Sequence, residues 1–153
     1  MAGKGFEVEA GQSQAASATE TNIELTAAAT RLVRIVRLAV SQSTHKTSEQ
    51  YDVRGQRVTT TGTGTAYTPL LKEPNTGAVG VVVEINSSIE PTYTAATVYP
   101  NRAWNSLTGR DIVFPPGQEL YIAPSALWGT YIVTPAGTTT MTPHQELEAE
   151  EIG

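Results

Sequence analysis

The chain reads as an all-β protein, a single-domain β-sandwich or jelly roll of about eight short strands. Three observations predict this. Runs rich in Val, Ile and Thr recur along the sequence, which suits a pleated, half-buried surface. Thirteen glycines and nine prolines break those runs into short pieces. A length of 153 residues fits one domain, and folding at that size buries roughly 70% of the unfolded chain's surface, enough for a core without staples.

Residues 1–21 read as a flexible arm. The stretch Ala-Gly-Gln-Ser-Gln-Ala-Ala-Ser-Ala-Thr is small, polar and aperiodic, and such a segment alone buries too little to offset its ordering entropy. Phe6 and Val8 lie on one side of an extended chain. A disordered terminus and an arm adding to a neighbour's sheet edge both fit this pattern. On the second reading Phe6 and Val8 are contact residues, and deleting 1–21 leaves the body folded while weakening partner binding.

The body is expected over 22–142. Asn22 to Thr26 alternates as a short strand. Arg31 to Val40, RLVRIVRLAV, admits two readings. As a helix it places Leu32, Ile35, Val36 and Ala39 on one face, with Arg31, Arg34 and Arg37 on the other. As a strand the alternation is imperfect, because Arg34 and Arg37 fall on opposite sides. The β-branched content and the β texture downstream favour the strand. Either way three arginines sit in an apolar segment. A solvated edge fits them, and otherwise arginines so placed are paired or at an interface; partners for acids across a subunit contact are favoured over phosphate ligands, and acids of the same chain or of a neighbour both fit.

Further strands are expected at Glu49–Thr61, Ala78–Asn86, Ala95–Tyr99, Asp111–Phe114, Gln118–Ala123 and Thr130–Thr134. Turns are expected at Thr61–Thr65, at Glu73–Gly77, at Pro115–Gly117 and at Pro135–Gly137. Asn101 to Asn105 reads as turn-like. Its Trp104 suits a core cap and an interface anchor equally, whereas Trp128 reads as core.

Residues 143–153, holding Glu146, Glu148, Glu150 and Glu151, read as an acidic tail, either solvated or a short helix held in an assembly. They account for most of the net charge of −5, because the rest of the chain holds eleven acids against ten bases. A body so near neutral does not suit nucleic-acid binding, which shows a basic excess. The longest apolar run, Gly77 to Val83, is far shorter than the ~20 residues of a membrane helix. No early stretch has the pattern of a signal peptide.

Catalytic chemistry finds little material here. There is no cysteine, which removes thiolate catalysis and disulfides. His45 and His144 are isolated, with no second ligand at metal spacing and no nucleophile elbow. Gly62-Thr-Gly64 lacks the lysine of a phosphate loop. Glu84, Glu90, Asp111 and Glu119 would need to pair in space to act as a glycosidase. The chain is therefore expected to be no enzyme and to need no metal or cofactor.

Three stretches carry a resemblance: STHKTSEQYDVRGQRVTTTGTGTAYTPLL from Ser43 to Leu71, Gly77-Ala-Val-Gly-Val-Val-Val-Glu84, and Phe114-Pro-Pro-Gly-Gln-Glu-Leu-Tyr121. In texture and order they resemble the head decoration, or cement, proteins of tailed double-stranded-DNA bacteriophages over residues 31–135. The resemblance implies a homotrimer bound to the major capsid protein on the outer face of the head, made in the host cytoplasm. Phe6, Val8, Arg31, Arg34, Arg37 and Trp104 would be the capsid or subunit contacts. The competing expectation is a carbohydrate- or receptor-binding module of a phage tail, using Trp104 and exposed tyrosines.

Overall fold

A computed structural model describes residues 3–43, 47–73, 77–95, 98–138 and 140–153. Thirteen strands order along the chain: β1 (Lys4–Gly11), β2 (Thr19–Thr26), β3 (Leu32–Gln42), β4 (Gln50–Thr60), β5 (Thr63–Tyr67), β6 (Leu70–Leu71), β7 (Val82–Ile89), β8 (Thr92–Tyr93), β9 (Asn101–Asn105), β10 (Arg110–Val113), β11 (Leu120–Ile122), β12 (Leu127–Val133) and β13 (Pro143–Ile152). No helix forms among the described residues. The all-β sandwich expected from the sequence is the fold.

Two antiparallel sheets pack face to face. The first runs β10-β3-β13-β1-β6, with β11 also on β3; the second runs β5-β7-β2-β12-β4-β8, with β9 also on β4. Stripped of the inserted β5, β6 and β7, the order is β1-β13-β3-β10/β11 over β2-β12-β4-β8/β9. That alternation between sheets is the double Greek-key winding of a jelly roll. Eight positions carry the winding; two of them hold two short strands and β5, β6 and β7 are additions, so thirteen elements replace the eight expected.

Both chain ends correct the expectation. Residues 4–11 are not an arm: β1 lies between β13 and β6, in register from Lys4↔Glu151 to Gly11↔His144. Phe6 and Val8 are wholly buried. The alternation Phe6, Val8, Ala10 was a strand signal, and a partner strand from the far end of the chain stabilises it. Residues 143–152 are not a solvated tail either, because β13 is paired along both edges. Its glutamates alternate with Gln145, Leu147 and Ala149, which face inward.

The arginine strand is resolved by a bulge. Arg37 pairs with Glu148 and Ile35 with Ala149, leaving Val36 as the extra residue. A bulge shifts the side-chain phase by one, so Val33, Ile35, Leu38 and Val40 all point into the core. Arg34 and Arg37, three apart, then share the outer face.

Trp104 and Trp128 are both core residues, 2% and 4% exposed. Asn101–Asn105 is a strand rather than a turn, because Trp104 pairs in register with Tyr51 and packs on its ring at 5.5 Å. Gly55 lets the second indole in: a Cβ there would collide with Cζ2 of Trp128. Gly109, at φ 66°, closes the β9–β10 turn where a side chain would meet the Val40 carbonyl at 2.9 Å. A strand was expected at Ala95–Tyr99; its residues 96 and 97, like His45 and the centre of the Glu73–Gly77 turn, lie outside the described residues.

Candidate functional site

The outer face of the first sheet is an ionic ladder. Strand alternation puts Glu146, Glu148 and Glu150 of β13 on that face, beside Glu7 and Glu9 of β1. On the opposite flank, the bulged β3 presents its arginines. Arg34 binds Glu150 and also reaches Glu119 at 3.5 Å. Arg37 joins Asp111 at 2.9 Å, Glu148 at 2.9 Å and Glu146. Lys72 holds Glu148 from the other side. Of the two partners left open by the sequence, acids of the same chain are the ones that Arg34 and Arg37 meet.

Arg31 makes a different pair. Glu151 points inward and its side chain is fully buried. One carboxylate oxygen accepts from Arg31 at 2.6 Å, and the other accepts from the Gly80 amide at 2.8 Å. Buried charge persists where its oxygens are met this way.

Charge density sets the protonation behaviour of this face. Burial, then the charges of Glu146, Glu148 and Glu9, push the Glu7 carboxyl up. The Lys72 ammonium and the Arg37 guanidinium pull Glu148 down. Glu7, Glu9 and Glu146 bring carboxylate oxygens within 4.8 Å of one another, so this is where a cation could be held. Their charge is already met in part by Arg37, which binds Glu146. His144 lies exposed nearby, 3.4 Å from the Ser43 hydroxyl.

The second sheet carries a polar cluster on its own outer face. Glu24 is buried there and accepts from the Gly62 amide at 3.1 Å. Glu90 accepts from the backbone and hydroxyl of Thr21. Burial pushes Glu24 and Glu20 above the usual range. The Thr-Gly-Thr-Gly-Thr stretch serves this cluster, since Gly64 donates to Glu84 as Gly62 does to Glu24. The four acids considered for paired-carboxylate chemistry are distributed: Asp111 and Glu119 on the arginines, Glu84 and Glu90 on the other sheet.

A cleft of about 440 Å³ opens between the sheets beside β11. Trp128, Leu120 and Ile122 supply apolar lining, and Tyr99 and Tyr121 flank it, 38% and 49% exposed. Arg57 is the sole charged side chain among the described lining residues, and it has no ion pair among the described residues. Sequence reasoning did not single out Arg57, Tyr99 or Tyr121. The Leu-Tyr-Ile alternation at 120–122 marks Tyr121 as facing out, but Arg57 meets Trp128 only through the β4–β12 register. No protein-family model and no curated protein matches this chain.

Proposed function

We propose that this protein is a structural component of a tailed-phage particle, binding the outer surface of the head and stabilising it as a decoration protein. The observation that supports this most is where its exposed apolar groups fall. Of the seven large apolar side chains exposed among the described residues, four lie between Tyr99 and Tyr121: Tyr99, Leu107, Val113 and Tyr121. Val113 and Tyr121 sit on β10 and β11, the two short strands that share one edge of β3. Exposed apolar groups on adjoining edge strands suit an interaction surface. The ionic ladder supports the same reading, because a protomer whose charges are satisfied internally is folded before it meets a preassembled shell.

The contact set shifts accordingly. Phe6, Val8 and Trp104 serve the core, and Arg31, Arg34 and Arg37 brace their own sheet, so the β10–β11 edge takes over as the coat-facing surface. The major capsid protein is the proposed partner, and self-association as a trimer is proposed by resemblance. The direct test is a heat challenge on particles with and without the protein. Particles lacking it should release DNA at a lower temperature, and adding it back should restore the wild-type profile. Identical release profiles would contradict the proposal.

A second reading, a glycan-binding module, rests on Tyr99 and Tyr121, two partly exposed tyrosines at the cleft. Saturable change in tryptophan fluorescence on adding glycans would favour it.

A further inference from the structure

The cleft beside β11 has features that together define its occupant. Leu120, Tyr121 and Ile122 all line it. Successive strand side chains point to opposite faces, so a groove touching all three runs along the strand's edge. That edge is open: β11 pairs with β3 on one side, and with no other strand among the described residues. An unpaired edge presents main-chain donors and acceptors that another extended chain can satisfy. Across the cleft, Arg57 and Trp128 are direct cross-strand partners. Side chains so paired share a face, which sets a lone guanidinium beside an indole.

We infer that this cleft binds an extended peptide segment of a partner protein, added antiparallel or parallel to the free edge of β11, with an apolar or aromatic side chain seated between the sheets near Trp128 and a carboxylate two residues away held by Arg57. The inference deepens the proposed function, resting on the reading of the β10–β11 edge as the partner-binding surface. Charge complementarity selects an acid, because Arg57 faces no carboxylate among the described lining residues. Main-chain pairing selects a peptide over a sugar, and the two-residue spacing follows from strand geometry, where residues i and i+2 share a side.

The test titrates isotopically labelled full-length protein with the peptide acetyl-Ser-Phe-Thr-Asp-Ser-amide and follows backbone amide shifts. Saturable shifts confined to residues 120–129 and to Arg57 and its neighbours are expected. Replacing Asp by Asn in the peptide should weaken binding about tenfold, the scale of one charge-assisted hydrogen bond. Methylating alternate peptide nitrogens should weaken it comparably. Arg57→Gln, at an exposed position, should reproduce the Asn loss with the remaining spectrum unchanged. Absence of shifts at millimolar peptide would overturn the inference. So would equal binding of the Asn or the methylated peptide, or saturable shifts at the same residues from neutral sugars such as lactose. Failure of the wider reading is separable: peptide binding by a protein absent from particles removes the virion role and leaves the cleft, and presence on particles without peptide binding does the reverse.

Discussion

Glu151 shows how a residue in an acidic run becomes structural. It is fixed from two directions, by Arg31 and by the Gly80 amide, and its neighbours Glu150 and Ile152 are not buried. Glu151→Ala should therefore destabilise the fold by about 1–3 kcal/mol, because it removes a fully buried carboxylate together with both of its hydrogen bonds. Glu150→Ala should cost under about 1 kcal/mol, because the Glu150 carboxylate is itself partly exposed and such surface pairs contribute little. Chemical denaturation of the two variants checks this, and equal losses would count against the assignment. Gly55 is a second single-residue control point. Gly55→Ala should displace the Trp128 indole, cost about 1–3 kcal/mol as an overpacked core site, and shift the tryptophan emission. None of this was visible in the sequence, where Glu151 is one of four similar glutamates and Gly55 one of thirteen glycines.

At the level of elements, the strands legible in the sequence were those whose pattern is local. Asp111–Phe114, Gln118–Ala123 and Thr130–Thr134 each overlap an observed strand, because alternation and flanking Pro or Gly announce them. The terminal strands alternate as well, but their pairing was illegible for a physical reason. Residues 4–11 and 143–152 are polar every second position, and each is held in place by a partner more than a hundred residues away. The arginine strand was half legible: its β character showed, but the bulge at Val36 that unites Arg34 and Arg37 appears only in the pairing with β13. Truncation tests the terminal strands. Deleting residues 1–12 removes the buried Phe6, Val8 and Ala10. At roughly 1.5–3 kcal/mol for each large apolar side chain, this approaches the 5–15 kcal/mol that holds a typical domain. The truncated chain should be unfolded by near-ultraviolet circular dichroism; a folded product would restore the arm.

Across the whole molecule, the carboxylates predict how stability responds to pH. Glu7, Glu20 and Glu24 have folded values raised above the ordinary 4.5. The folded state binds their protons more tightly, so their contribution is greatest below 4.5 and is lost as pH rises through their folded values. Glu148 is lowered, so its contribution is present above 4.5 and is lost as pH falls through its folded value. Stability should rise on mild acidification from neutrality toward 4.5, then fall in stronger acid. Melting temperatures across pH 3–8, in low salt, check this shape; a monotonic decline from neutral to acid would contradict it.

The same scale holds the functional claim. A jelly roll with an ionic face paired within the chain, and with Val113 and Tyr121 exposed on β10 and β11, suits a protein that attaches to a surface already built. Quantitative mass spectrometry of purified particles tests this most directly, by counting this chain against the major coat protein. The account predicts one copy per coat subunit, or a simple fraction of that. Absence from particles would contradict it.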